Sequence, residues 1–184
     1  LDDAARRITE AVVFGWKGTK VIDADGLSHF AGRASELRRA SGVVLTPHAA
    51  ELGRLLSISA EAVEDDRFGA VAHAVSLTSA VVLLKGRYSI VGAPGEPLRV
   101  NPTGGPVLAT GGSGDVLSGV LAALACSLSP PQAAWVGAFL HGEAADRWAQ
   151  LRSADRGLLA HEIADELPAS LGALMARQKP ALPV

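Results

Sequence analysis

Gly42-Val43-Val44-Leu45-Thr46-Pro47-His48-Ala49-Ala50-Glu51 is the stretch that decides the fold of this chain. Its first four residues form an unbroken apolar run built on the β-branched Val43 and Val44, too short for a helix and without the alternation of a half-exposed strand. Such a run belongs in a parallel sheet covered on both faces. Thr46-Pro47 ends it, and a helical pattern runs from about His48 to Leu56. Lys20-Val21-Ile22-Asp23 precedes it and Ala80-Val81-Val82-Leu83-Leu84 follows it, two more runs of the same buried type. Between these lie helical candidates from Ser28 to Arg39 and from about Ala60 to Ser76, where apolar residues recur at three and four. The order βαβαβ predicts an α/β fold.

Downstream, Lys85-Gly86-Arg87-Tyr88 reads as a polar turn into Ser89-Ile90-Val91. Ala93-Pro94-Gly95-Glu96-Pro97 then turns into Leu98-Arg99-Val100, an antiparallel hairpin. Helices are expected over Asp115 to Ala125, over Pro131 to Gln150 with proline near the first turn, and over about Leu158 to Arg177 with a break at Pro168. Lys179 to Val184 is expected to fray. Neither an internal repeat nor a low-complexity tract interrupts the pattern.

The chain has 184 residues, 48% of them hydrophobic, and a mean hydropathy of +0.25, enough for one domain with a sizeable core. A net charge of −2 without a basic block argues against duplex nucleic acid or an anionic membrane surface as partner. A small-molecule partner suits this balance better. One cysteine, Cys126, expected to be a packed thiol, excludes an internal disulfide framework and suits a reducing cytoplasm. No apolar run reaches membrane-spanning length. Leu1-Asp2-Asp3 lacks both an initiator methionine and a signal-peptide core, so the sequence reads as a single, N-terminally truncated domain over 1–184.

The chemistry is concentrated in Asn101-Pro102-Thr103-Gly104 and in Ala109-Thr110-Gly111-Gly112-Ser113-Gly114-Asp115, which runs into Val116-Leu117-Ser118. Glycines at 111, 112 and 114 let backbone amides curl toward one point, and the unpaired amides of a helix start add positive potential there. A phosphate is the natural guest. In doubly wound sheets ligands gather beyond the carboxyl ends of the strands. There the first strand delivers Asp23-Ala24-Asp25-Gly26, the second His48 and Glu51, and the third Lys85-Gly86.

Four ordered motifs now carry a family resemblance: Val44-Leu45-Thr46-Pro47-His48 with Glu51; Leu84-Lys85-Gly86; Asn101-Pro102-Thr103-Gly104; and Gly111-Gly112-Ser113-Gly114-Asp115. Asp23-Ala24-Asp25, Leu140-His141-Gly142 and Ala145-Asp146 extend it. The chain resembles the ADP-dependent NAD(P)H-hydrate dehydratases of the ribokinase-like superfamily, over about the last two-thirds of their domain. The resemblance implies a ribokinase-like three-layer α/β/α fold with a mostly parallel central sheet, the family's N-terminal strands being missing from this fragment. It departs from the family pattern at His48-Ala49-Ala50-Glu51, Asp25-Gly26-Leu27-Ser28 and Gly105-Pro106-Val107-Leu108.

By that resemblance Asp115 accepts the proton of a hydroxyl being phosphorylated while amides of Gly112 to Gly114 hold the phosphoryl group. The reaction implied is the ADP- or ATP-dependent dehydration of hydrated NADH or NADPH, with release of AMP or ADP and phosphate. Lys85, Gly86, Arg87, Tyr88 and Ser89, with Gly114, correspond to the nucleotide-binding segment. His48, Asp115, Asn101 and Thr103 correspond to the dinucleotide side. Plainer readings stand beside these: Asp115 complements a helix dipole, Lys85 is a solvated strand-end lysine, His48 caps a turn, and Asn101 and Thr103 form an ordinary turn. Glu51 and Asp25 either orient Mg²⁺ through water or are helix-start carboxylates. His141 is expected to be a satisfied, partly buried histidine. A homo-oligomer is expected; a thiazole-kinase-like small-molecule kinase and a structural fragment without turnover are the competing readings.

Overall fold

A computed structural model describes residues 2–177. The chain enters through α1 (Asp3–Gly15), whose first turn is capped by the Asp2 carboxylate accepting from the amide of Ala4. Strands β1 (Lys20–Ile22), β2 (Val43–Leu45) and β3 (Val81–Leu84) pair in parallel, and β4 (Ile90–Gly92) and β5 (Arg99–Val100) continue the sheet antiparallel, in the order β1-β2-β3-β4-β5. The three parallel strands are the apolar runs of the sequence, and the hairpin is where it was expected.

Side chains alternate cleanly across the sheet. Ile22, Val43, Leu45, Val82, Leu84 and Ile90 face one layer, made by α2 (Asp25–Ser28), α3 (Ala49–Leu56), α4 (Ala60–Asp65) and α5 (Arg67–Thr78) together with α1. Val44, Val81, Leu83 and Val91 face the other, where Leu117 and Leu121 of α6 (Ser113–Leu124) and Ala134 and Ala138 of α7 (Pro130–Arg152) close over them. Burial on both faces explains the unbroken apolar runs and gives the three-layer α/β/α arrangement. A third cluster, including Trp148, Leu158 and Ile163, joins α7 to α8 (Ala160–Arg177).

Several expected boundaries shift for local reasons. The helix expected from Ser28 to Arg39 is instead the single turn α2 and a 3₁₀ segment over Ala34–Arg39, because Gly32 at φ +73° reverses the chain between them. The helix expected from Ala60 to Ser76 divides at Asp66, whose non-helical backbone lets its carboxylate accept from the Gly69 amide at 2.8 Å and start α5. Helix α8 runs through Pro168 without the expected break; the ring removes one ladder bond but the turns continue. Cys126 is exposed rather than packed, since it follows the last turn of α6. The fraying expected for Lys179 to Val184 lies outside the described residues.

Candidate active site

The carboxyl ends of the three parallel strands converge. Beyond β1 and β2 the ladder extends through Thr46 N–H to the Ile22 carbonyl, at 3.1 Å, and beyond β3 through Lys85 N–H to the Pro47 carbonyl, at 2.8 Å. This brings Asp23, His48 and Lys85 to one edge. Lys85 Nζ lies 2.7 Å from Asp23 Oδ1 and 3.7 Å from Glu51 Oε2. Glu51 Oε2 also accepts from the His48 amide at 2.8 Å, and Asp23 Oδ2 accepts from Ser118 Oγ on α6 at 3.4 Å. The result is a continuous polar chain from α3 through the lysine to α6.

His48 is the N-cap of α3. Its Nδ1 accepts from the Ala50 and Glu51 amides at 3.1 and 3.4 Å, and Nε2 stands 3.4 Å from Glu51 Oε1. An accepting Nδ1 requires the Nε2–H tautomer when the ring is neutral. The capping geometry therefore exists, while half of the side chain remains exposed and open to a ligand. Asp25, read with Glu51 as either orienting magnesium or a helix-start carboxylate, is exposed in the first turn of α2, and Asp23 is the aspartate that joins the network. Among the described residues no group of three His, Cys, Asp or Glu side chains gathers to hold a metal ion.

Helix α6 begins at Ser113, two residues earlier than the sequence suggested, so Asp115 sits third in the helix. Its N-cap is Gly112, at φ +87°, and no side chain caps the first amides. Any other residue at the cap would be strained, and its Cβ would meet Ala160 Cβ at 3.0 Å. A Cβ on Gly114 would lie 3.5 Å from Asp23 Oδ2 and 3.6 Å from Lys85 Nζ, so the first turn of α6 abuts the ion pair. Asp115 is exposed.

The same turn is tied from behind. Ser113 Oγ donates to the Leu108 carbonyl at 2.9 Å, and His141 Nε2–H, from α7, donates to the Ser113 carbonyl at 3.0 Å. Burial pushes the His141 imidazole down to about 4, so the ring is neutral at physiological pH. His141 is thus a satisfied core histidine, as expected, with a role the sequence did not reveal.

Beside this turn opens a cleft of about 740 Å³. Lys85, Gly86, Arg87, Tyr88, Ser89 and Gly114 all line it, as do Asn101 and Thr103; His48, Gly112 and Asp115 lie outside its lining. The 85–89 turn keeps its shape through Gly86 at φ +143° and Tyr88 at φ +55°, with Arg67 donating to the Arg87 carbonyl at 2.5 Å. Asn101 is buried. Its carboxamide nitrogen donates to the Thr103 and Ala138 carbonyls, both at 3.1 Å, and its oxygen accepts from Thr103 Oγ1 at 3.0 Å. It shapes the wall of the cleft through the turn. Gly104 N–H donates to Asp146 Oδ2 at 2.8 Å, and Gly142 leaves room for Thr103 against α7. Ser118, His141, Gly142 and Asp146 were assigned no site role from sequence. His141, Gly142 and Asp146 stood in motifs that extend the family resemblance, but the surface their helix presents to the cleft was not legible from sequence.

Comparison with known proteins follows the same lines. The sequence pattern of the family described as NAD(P)H-hydrate dehydratase matches residues 2–169. A bifunctional NAD(P)H-hydrate repair enzyme of Moorella thermoacetica is 42% identical over 150 residues, covering 80% of this chain and 28% of that protein. An ADP-dependent (S)-NAD(P)H-hydrate dehydratase of Neisseria meningitidis is 41% identical over 148 residues, covering 78% of this chain and 50% of that one. The crystal structure of an ADP/ATP-dependent NAD(P)H-hydrate dehydratase of Bacillus subtilis, co-crystallised with ATP and Mg²⁺, superposes with a TM-score of 0.79 at 30% identity, over 88% of this chain and 57% of that one. The chain thus spans half or less of the length of these two sequence relatives.

Proposed function

The chain belongs to the NAD(P)H-hydrate dehydratase family, and we propose that it carries the phosphoryl-transfer part of a nucleotide-repair site that dehydrates (S)-hydrated NADH or NADPH at the expense of ADP or ATP. The observation that carries this reading is the uncapped first turn of α6 standing against the Lys85–Asp23 pair at the mouth of the cleft. The N-terminal turn of α6, with no side-chain cap, and a held ammonium lie side by side, which suits a transferring phosphoryl group.

In this arrangement the nucleotide occupies the cleft along Lys85 to Ser89, its terminal phosphoryl group lies against Gly112 to Gly114, and the ring hydroxyl of the hydrate meets Asp115. As the hydroxyl oxygen bonds to phosphorus, the Asp115 carboxylate takes its proton and the bond to departing AMP or ADP breaks. Phosphate is a far better leaving group than hydroxide. The ring-nitrogen lone pair then expels it, and loss of a proton from the neighbouring carbon restores the dihydropyridine. His48 faces the hydrated nicotinamide in this reading, and Asn101 and Thr103 set the wall of the dinucleotide side.

Magnesium, when bound, neutralises phosphate oxygens of the nucleotide. Asp23 and Glu51 are the carboxylates beside the phosphoryl position, and Lys85 contacts both, so these residues suit an ion carried in by the nucleotide and not a cage built by the protein. We also read 1–184 as one domain that corresponds to part of the longer relatives. No described helix is long and apolar enough to cross a membrane. A cytoplasmic location and a homo-oligomer complete the reading; the exposed apolar residues Ile8 and Val12, four apart on α1, and Trp16 just past its end support assembly. Light scattering at the monomer mass of 18.9 kDa would overturn the oligomer.

The test is recovery of reduced-nicotinamide absorbance from the hydrate, with ADP and with ATP. Asp115→Asn is expected to lower turnover by about 10²–10⁴ while ADP still binds. No recovery by the parent protein with either nucleotide sinks the reading. A stable phosphorylated product without phosphate release would identify a small-molecule kinase instead, and absence of adenylate binding would identify a fragment without turnover.

A further inference from the structure

Lys85 and Asp23 come from strands that are not neighbours. β2 lies between β1 and β3, so with strands about 4.8 Å apart the two chain ends are separated by roughly 10 Å. Lys85 therefore reaches across the end of β2, over the buried Thr46, to form its 2.7 Å contact. A lysine side chain has several freely rotating bonds and, left alone at a strand end, points into water. Here only 21% of it is exposed, against 15% for Asp23 and 8% for Glu51.

Each acid is itself anchored. Ser118 from α6 binds the second oxygen of Asp23, and the His48 amide binds Glu51. The backbone just after Asp23 is also unusual. Ala24 sits at φ +48°, ψ −122° in a turn closed by Gly26 N–H to the Asp23 carbonyl at 2.9 Å. A side chain in that conformation is strained, and such strain persists where the surroundings over-determine the fold.

From this the geometry points to Asp23 as a positioning residue: acting through Lys85, it holds the ammonium against the first turn of α6, where the nucleotide phosphates would arrive. The assignment rests on the nucleotide-binding reading above. It carries an electrostatic signature. Two carboxylates share one ammonium, so if Asp23 were only a nearby negative charge, its removal would favour an anionic ligand. A positioning role predicts the opposite sign.

The experiment is calorimetric titration of ADP into the 184-residue chain in EDTA and again with magnesium, for the parent, Asp23→Asn, Lys85→Met and the double variant. Asp23→Asn is expected to weaken ADP binding about tenfold in EDTA, on the scale of one charge-assisted hydrogen bond. The double variant is expected to bind no more weakly than Lys85→Met alone, because Asp23 has nothing left to hold. Unchanged or tighter binding by Asp23→Asn overturns the assignment. So does additivity in the double variant. A loss confined to magnesium-containing buffer also overturns it, since Asp23 would then act on the metal. Should Asp23→Asn fail to fold, proton–nitrogen NMR of the parent still decides: a held Lys85 ammonium gives a slowly exchanging signal, and its absence refutes the positioning role. If the parent binds no ADP at all, the nucleotide-site reading fails, while the ammonium signal still reports separately on Asp23.

Discussion

Adding one methyl group at Gly142 tests how closely α7 approaches the turn that walls the cleft. A Cβ there would stand 2.3 Å from Thr103 Oγ1, 2.6 Å from the Thr103 carbonyl carbon and 2.7 Å from its oxygen. The hydroxyl can rotate away, but the backbone atoms cannot, so the Asn101–Gly104 turn must retreat from α7 by close to an ångström. Overpacking of this kind costs about 1–3 kcal/mol. For a chain of this size that lowers Tm by roughly 2–12 °C. The retreat also pulls Gly104 from Asp146, a 2.8 Å hydrogen bond, and shifts a wall of the cleft, so ADP affinity should fall with Tm. Gly119→Ala is the matched control. Gly119 lies within α6, exposed, with nothing within 4 Å of its would-be Cβ. There the same methyl group should stabilise by about 0.5–1 kcal/mol. Scanning calorimetry reads both signs. A Gly142→Ala variant that melts within about 1 °C of the parent, with ADP affinity unchanged, would refute the close approach.

At His48 the cap and the proposed ligand contact separate by substitution. His48→Ala should cost about 1 kcal/mol through lost capping of α3, whereas His48→Asn should restore the cap; if Asn also restores full turnover on the hydrate, the ring is not a substrate contact. His141 should make stability depend on pH. Its folded value of about 4 lies below the usual 6.5, so between those values the unfolded chain binds a proton that the folded chain does not. Stability from this group is present above about pH 6.5 and is lost as pH falls toward 4, by roughly 3 kcal/mol in total. Thermal melts from pH 7 to 4 should fall less steeply for His141→Gln than for the parent; equal slopes would mean the imidazole is not held neutral by burial.

Much of the architecture can be read locally because it depends on local properties. A strand covered on both faces needs apolar residues at every position, so β1, β2 and β3 announce themselves as unbroken runs. Gly112 marks the loop that opens α6 because it caps the helix at φ +87°, where a side chain would be strained. Helix interruptions were harder. Gly32 inside an amphipathic pattern does not declare whether it will turn left-handed, and Pro168 does not declare that its helix will continue, because tertiary packing outweighs propensities of about a kilocalorie.

Asp23 and Asp25 show where sequence ends. Both follow the first strand, and the sequence reading singled out Asp25, beside Glu51, as either a magnesium-orienting or a helix-start carboxylate. Which of them meets Lys85 depends on the order β1-β2-β3, on the turn at Ala24 and on the reach of a lysine across an intervening strand. His141 and Ser113 lie 28 residues apart, and their contact exists only because α7 packs behind α6. Composition and short-range pattern determined the sheet, the glycine loop and the kinds of group that gather at its edge, since those follow from burial and backbone freedom residue by residue. The pairing of those groups was decided by topology, because ion pairs and helix-to-loop contacts join residues that only the folded chain brings within reach.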